Sequence, residues 1–443
     1  MRKLIIISFS LLFSVAGFAQ NKKWTLQECV QYALDNNITI QQAEISLLNS
    51  AIDKSDAQGA FMPSINGRAS VSENTGLSFN PVTNLPQTVT TLNATGGLNL
   101  GYTLFDGLRN IRQLQRADLI KVAAEFNLSK AKDDIALFVA NAFLDIILNK
   151  ENLKTIQAQN QITIEQINRT QELVDGGVLP EGDLLEIRAT AASERQRIVA
   201  AENAVILSKI NLAQLLAVEN YQDFDVIEGD YSIFGEQITD APVDSVIESA
   251  KENRYEIKIA EQNLEIAKKD LQISKGARYP TLSAFFGYDT RFTTNDFIDI
   301  PFKTQIYTND GINYGLSLNV PIINGFGTRN AIRRSKLNIE NNEIAVKQAK
   351  LDLESTVYQS YTAVKAAKES YEAAKVALES QELAYEYAKL RYDVGRTNAF
   401  DFSQSKLRYD NAQIELTRSK YDYIFRIKVL ELYFGVPATE LKF

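Results

Sequence analysis

Histidine is absent from all 443 residues, and cysteine, tryptophan and methionine occur only once, once and twice. Without histidine the chain lacks the commonest general base and the commonest metal ligand, so Ser-His-Asp and Cys-His catalysis are excluded. A single cysteine, Cys29, forms no internal disulfide and stands too far into the chain to be a lipid-bearing first residue, so it reads as a packed thiol. An excess of positive charge is lacking too: 47 Lys and Arg face 55 Asp and Glu, a net charge of −8. That balance gives no electrostatic case for binding nucleic acid. No phosphate-binding loop or metal-ligand cluster appears, so no cofactor is expected and no enzymatic reaction. Beyond residue 20 there is no run of about 18 uninterrupted apolar residues, so no transmembrane helix is expected. What is left is a soluble protein or a β-barrel.

The first twenty residues are of another kind. Arg2 and Lys3 precede an apolar run from Leu4 to Phe13, followed by the small residues Ala16, Gly17 and Ala19. The run is about half the roughly 20 residues a spanning helix needs, which marks a signal peptide cut after Ala19. Removing Arg2 and Lys3 takes the net charge from −8 to −10.

The mature sequence repeats itself. Residues 33–65 run parallel to 250–282 without a gap, with Ala43 on Ala260 and Pro63 on Pro280. After one extra residue the correspondence resumes, with Phe105-Asp106-Gly107 on Ile323-Asn324-Gly325, Gly177 on Gly395, Asp183 on Asp401 and Val218 on Val436. Such a duplication has to be recognised before any fold is assigned. The expected organisation is a signal peptide (1–19), a first repeat (20–218), an equatorial insert (219–242), a second repeat (243–436) and a short tail (437–443).

Each repeat opens with a helical stretch, Leu26 to about Gln58 and about Val243 to Lys275, that stops ahead of Pro63 or Pro280. Strict alternation follows. From Leu92 to Leu104 the even positions include Leu98, Leu100 and Tyr102, against Asn93, Thr95, Asn99 and Thr103. Leu282, Phe286 and Tyr288 alternate in the same way, as do Tyr314, Leu316 and Leu318; the segment Ile65–Val71 is weaker. These segments predict two hairpins, 65–104 and 282–322, connected through loops 72–91 and 293–311. Segments of about ten alternating residues fit tilted membrane strands, and equally an antiparallel sheet with one wet face.

Long helices come next, over 109–174 and 329–392, with no proline and scarcely a glycine: roughly 65 residues, or about 100 Å. Return helices are expected over 183–217 and 401–434. In the second long helix Val357, Tyr361, Val364, Tyr371, Ala374, Leu378, Tyr385, Ala388 and Tyr392 follow the spacing of a coiled-coil seam. Two shorter helices end to end match one long one, so each repeat forms a helical column. Four strands cannot close a membrane barrel alone; two, three or four chains would supply 8, 12 or 16 strands.

The order of signal peptide, helix, hairpin, long helix, Gly-containing turn and return helix, done twice, resembles the TolC-like outer-membrane efflux factors over nearly the whole mature chain. The turn Tyr392-Asp393-Val394-Gly395-Arg396-Thr397 with Asp401, and Ile323-Asn324-Gly325-Phe326-Gly327 at the strand exit, carry the likeness. The resemblance implies a mixed α and β fold: antiparallel coiled-coil hairpins plus four transmembrane strands per chain, assembling as a homotrimer with a 12-strand barrel continuous with a 12-helix tunnel. It implies an outer-membrane exit duct for efflux or type I secretion, working with a periplasmic adaptor and an inner-membrane transporter. Leu98, Leu100, Tyr102, Leu282, Phe286, Tyr288, Tyr314, Leu316 and Leu318 would face lipid. Carried over by position, Tyr392, Arg396, Asp401, Gln404 and Asp183 would form the periplasmic gate. Gly176, Gly177, Val178, Leu179, Val394, Gly395, Arg396 and Thr397 would meet the adaptor. The match departs at Thr397, one place after Arg396, where the family carries its gate arginine, and at Gln404, where it has a second acid; a weaker cation ring is expected.

Each tip residue also has a local reading. Gly177 and Gly395 suit the left-handed turn after a helix, and Asp183 and Asp401 are placed to cap the return helices. Pairing of Asp401 with Arg396 is expected to hold the gate shut. The rival to a channel is a soluble periplasmic coiled-coil scaffold or binding protein, against which the stripe of Leu98, Leu100, Tyr102, Leu316 and Leu318 would be an outsized exposed apolar patch.

Overall fold

The structure, a computed structural model, describes residues 23–80, 83–219, 221–229, 233, 241–294 and 300–436. The expected signal peptide, the tail and most of the insert's second half lie outside these residues. The elements are β1 (Lys23–Trp24), α1 (Leu26–Asn36), α2 (Ile38–Gly59), β2 (Ser64–Phe79), β3 (Pro86–Phe105), α3 (Arg109–Asp175), α4 (Glu181–Leu215), β4 (Asp225–Val226), α5 (Val243–Asn253), α6 (Tyr255–Gly276), β5 (Thr281–Thr294), α7 (Phe302–Thr308), β6 (Gly311–Asn319), α8 (Gly327–Asp393) and α9 (Ala399–Phe434). Corresponding helices match in length: 11 and 11 residues for α1 and α5, 22 and 22 for α2 and α6, 67 and 67 for α3 and α8, 35 and 36 for α4 and α9.

The opening helix of each repeat is two helices, not one. Asn37 leaves the helical region (φ −65°, ψ 132°), and its Oδ1 accepts from the Thr39 and Ile40 amides while its Nδ2 donates to the Leu215 carbonyl at 2.7 Å. A side chain that starts one helix and ties down the end of another breaks the run at that residue, and Arg254 stands at the same place between α5 and α6. α1 itself begins with a capping box, in which the Thr25 hydroxyl accepts from the Glu28 amide and the Glu28 carboxylate accepts from the Thr25 amide. Both α2 and α6 end four residues before their prolines.

β2, β3, β5 and β6 form one antiparallel sheet in that order, while β1 and β4 make a small parallel pair. The first hairpin runs far past its expected ends: Phe79 pairs with Pro86, so most of the loop expected over 72–91 is strand. Apolar alternation stops near Val71, but the backbone ladder continues beneath polar side chains, with Thr75 and Thr90 hydroxyls 2.9 Å apart. In the second hairpin β6 stops at Asn319, short of the expected 322, and helix α7 lies within the expected loop 293–311. α7 covers the edge of β5 that β6 does not reach. Gln305, buried, donates to the Thr293 carbonyl (2.8 Å) and accepts from the Thr293 amide (3.0 Å), so its amide stands in for a paired strand residue.

The described residues fall into two compact units. One draws on residues up to 40, 132–250 and 356 onward; the other holds the sheet with 41–131 and 251–355. Every residue of the heptad seam expected in α8 is buried or half-buried, with Val357, Val364 and Tyr392 at 0–1 % exposure. Ala366, Ala373 and Ala377 remain exposed on the protomer. α4 contains the one described stretch long and apolar enough to cross a membrane as a helix, although its apolar residues are not uninterrupted. That stretch carries Glu202 and Lys209, and Lys209 is ion-paired to Asp225 at 2.9 Å.

Candidate functional site: the strand face and the helix-hairpin tips

The register of the sheet puts the alternating apolar residues of all four strands on one face. Ile65 lies opposite Leu100, which lies opposite Phe286, which lies opposite Tyr314; likewise Leu98 meets Tyr288, and Leu282 meets Leu318. Leu98, Tyr102, Phe286, Tyr314, Leu316 and Leu318 are exposed and Leu100, Leu282 and Tyr288 half-exposed. The opposite face carries Arg68, ion-paired to Asp289 at 2.9 Å, with Ser70 and Thr95 hydroxyls 2.8 Å apart. A sheet greasy on one side and hydrogen-bonded on the other suits a wall between lipid and water.

The tips follow from helix-ending geometry. At the end of α3 the Gly177 amide donates to Val174 O (2.9 Å) and Val178 to Leu173 O (2.9 Å); at the end of α8 Gly395 donates to Tyr392 O (2.9 Å) and Arg396 to Arg391 O (2.8 Å). These are Schellman closures, and the glycines take φ of +72° and +71°. Gly176, Gly177, Val178, Val394, Gly395 and Arg396 stand exposed, Thr397 is half-exposed, and Leu179 packs inward.

The expected caps are not the caps. Pro180 precedes α4, and Asn398 precedes α9, accepting from the Asp401 amide at 2.8 Å. Asp183 and Asp401 sit one turn inside, because both return helices start two residues earlier than expected. Asp183 reaches to the other tip, where its Oδ1 accepts from the Ala399 amide at 3.5 Å. Asp401 accepts from the Thr397 hydroxyl at 3.3 Å. Among the described residues Arg396 has no ion-pair partner within the protomer, so the expected Arg396–Asp401 latch is not formed inside one chain. Asp401, Arg396 and Gln404 are exposed.

Tyr392, expected at the gate, is fully buried within the protomer. Its ring stacks on Phe402 (5.0 Å, 16°), and its hydroxyl lies 3.1 Å from that of Thr170 on α3. Ile187, Tyr385, Ala399 and Phe402 complete this core, with Leu179 and Tyr409 against it. Its cause is visible in the seam: Tyr385 and Tyr392 are seven apart, on the stripe of α8 that turns toward α9. Burial raises both phenols, Tyr385 to about 12, so both stay neutral. Arg169 on α3 and Asp393 on α8 add an ion pair at 3.4 Å.

One buried ionic group carries almost no sequence signal. Lys406, 4 % exposed, lies 2.8 Å from both Glu194 of α4 and Asp410 of α9, themselves 6 % and 3 % exposed. Thr163 (2.9 Å) and Asn160 (3.1 Å) of α3 donate to the same Glu194 carboxylate. Burial pushes Asp410 above the usual carboxylate range, with Lys406 opposing it. The spacing of Lys406 and Asp410 was the only local signal. A second ionic cluster holds the described part of the insert: Asp225 lies 2.7 Å from Lys150 and 2.9 Å from Lys209, and Lys150 also meets Glu228 at 3.1 Å.

Residues 29–218 and 246–435 each match the family model described as outer membrane efflux protein. The chain belongs to that family. It is an outer-membrane channel, an exit duct of the kind that serves efflux or secretion. Protein CyaE of Bordetella pertussis is 23 % identical over 376 residues, 84 % of this chain and 75 % of that one. The outer membrane protein TolC of Vibrio cholerae is 22 % identical over 395 residues, 87 % and 84 % of the two chains. The solved structure of CusC superposes with a TM-score of 0.79 at 16 % identity, covering 95 % of each chain, which shows the shared fold.

Proposed function

We propose that the channel is a homotrimer in which three four-stranded sheets close a 12-strand barrel in the outer membrane and the helical hairpins close a 12-helix tunnel. The observation that carries this reading is the sheet itself: a continuous apolar face on strands whose two outer edges, on β2 and β6, have no partner strand among the described residues. Open strand edges leave backbone groups unsatisfied in lipid, so closure has to come from further copies. Strand number permits two, three or four copies, and the family resemblance favours three.

The tips are then the periplasmic end. Asp401, Arg396 and Gln404, exposed on the second tip, are the residues of this chain available to line a shared aperture. Tyr392 with Phe402 and Thr170 is the pillar that holds the two tips of one protomer together rather than a lining residue. The exposed turns 176–178 and 394–397 offer the surface for a periplasmic adaptor, through which an inner-membrane transporter is served. A ring of Asp401 carboxylates would favour cations at the closed end, less strongly than two acids per chain would.

The test is the mass of the mature protein extracted from outer membranes in mild detergent, corrected for bound detergent. A mass of three chains is expected. A single chain soluble without detergent would refute the shared barrel.

A further inference from the structure

The geometry points to one specific register for the strand pairing between copies, with Leu316 of β6 directly opposite Val71 of β2 in the neighbouring copy. This inference rests on the shared barrel proposed above and adds which residues meet in it.

The repeat supplies the ruler. From Pro63 to Pro280 is a step of 217 positions, and from Gly107 to Gly325 a step of 218. Both anchors have the same backbone in each copy. α2 and α6 each end four residues before their proline, and Gly107-Leu108 and Gly325-Phe326 all have positive φ, at 72°, 64°, 60° and 67°. The steps also hold through the strands. In the first hairpin Ser64 pairs with Gly101; moving β2 by 217 and β3 by 218 predicts Thr281 with Asn319, which is the pair observed in the second hairpin.

Between the hairpins, β3 pairs with β5 so that Leu98 faces Tyr288 and Leu100 faces Phe286. In a closed ring the remaining junction, β6 against β2 of the next copy, is the repeat image of this one. Moving β3 forward by 218 and β5 back by 217 turns Leu98–Tyr288 into Leu316–Val71, and Leu100–Phe286 into Leu318–Ala69. The same register sets Ser317 against Ser70 and Asn319 against Arg68. At these four pairs apolar residues meet apolar ones on the lipid side and polar meet polar on the other; farther along, Tyr314 falls opposite Glu73, where the apolar alternation of β2 has ended. A slip of one residue would turn every β6 side chain to the wrong face. A slip of two keeps the faces but breaks the repeat, so facing alone does not select the register and the repeat does.

Disulfide trapping reads the register directly. Paired Cα atoms in an antiparallel ladder are about 4.5–5.5 Å apart, inside the disulfide range, whereas a two-residue slip adds about 6.8 Å along the strand and takes them beyond about 7 Å. Within one chain β2 and β6 are the sheet's opposite edges, so a cross-link at these positions is between copies. Cys29 is fully buried, which leaves the native background low. Ser70→Cys is combined in turn with Ser317→Cys, Gly315→Cys and Asn319→Cys, and the detergent-extracted proteins are oxidised and run without reductant. At least about fivefold more linked dimer and trimer is expected for the Ser317 partner than for either other. Dominant linkage at 315 or 319 overturns the register while leaving the shared barrel in place. No linkage in any pair, with the native mass still three chains, overturns the edge pairing. A native mass of one chain sinks the shared barrel itself.

Discussion

Replacing Lys406 by Met tests whether the tip depends on its buried charges. The substitution keeps most of the side-chain volume and removes the one cation 2.8 Å from both Glu194 and Asp410, leaving two carboxylates at 6 % and 3 % exposure facing each other. Breaking a buried ion pair from one side costs about 3–5 kcal/mol, because the orphaned charge keeps its desolvation penalty. Thr163 and Asn160 still donate to Glu194, so Asp410 bears most of the loss. At about 1.4 kcal/mol per power of ten, local opening should become at least a hundredfold more frequent. Hydrogen exchange of the α9 amides around 402–413, corrected for intrinsic rates, reads it. The pH dependence has a definite sign. Asp410 is already raised by burial, against the pull of Lys406 and Arg197, and with Glu194 pushing it further up. A carboxylate raised in the folded state costs stability above its folded pKa, and that cost fades as pH falls toward the unfolded value. The variant should therefore lose protection most at pH 8 and recover part of it at pH 5. Exchange like the wild type at pH 8, or an equal loss at both pH values, would refute the reasoning. A companion carrying Glu194→Leu and Asp410→Leu with Lys406→Met should regain most of the protection, since an apolar replacement leaves no unpaired charge.

Ala217 closes α4 with a φ of 56°, where the repeat places Gly435 (φ 104°) at the end of α9, and both make the same pair of closing bonds. Ala217→Gly should relieve left-handed strain and stabilise by about 1 kcal/mol, seen as a higher thermal midpoint; an unchanged or lower midpoint would count against it. At the insert, burial opposes ionisation of Asp225, but hydrogen bonds from Lys150 and Lys209 outweigh it and hold the carboxyl below its usual range. Its contribution is thus present above the unfolded pKa and lost as pH falls through the folded one. Asp225→Asn should lower exchange protection of the Ile227 amide, which donates to Trp24 O at 2.9 Å, by about tenfold at neutral pH. The gap between wild type and variant should narrow as pH falls from the ordinary carboxylate range toward the lowered folded pKa, and a gap that stays constant would show that the carboxylate's charge is not what matters.

Local signals account for what the sequence revealed. Alternation in Leu98, Leu100, Tyr102, Leu316 and Leu318 is a property of each strand by itself, and the register then gathers those residues on one face. The seam from Val357 to Tyr392 is equally local, as are the two glycines whose left-handed turns end α3 and α8. The failures share a different cause. The break at Asn37 depends on the Leu215 carbonyl, 178 positions away, and the strands beyond Val71 continue by backbone pairing that no side-chain pattern announces. Tyr392 has the spacing of a seam residue, and within the protomer it packs as one, on Phe402 and Thr170.

The same distinction separates the ionic cluster from the exposed tip residues. Lys406 and Asp410, four apart, read as an ordinary exposed helix pair worth a few tenths of a kcal/mol. Only when α4 brings Glu194 and α3 brings Thr163 and Asn160 to the same point does the pair become a buried link between the two helix hairpins of one chain. Asp183 does the same at the tip, taking the Ala399 amide of the other hairpin. Together with the Tyr392–Thr170 contact and the Arg169–Asp393 pair, these links join the two hairpins from the tip inward, and all of them lie within the protomer. Arg396, Asp401 and Gln404 are exposed and take part in none of these links. In the proposed assembly an aperture lined by those three would change its lining contacts without unmaking the buried links behind it, so the Lys406 variant should loosen the hairpins whether or not Arg396, Asp401 and Gln404 are altered.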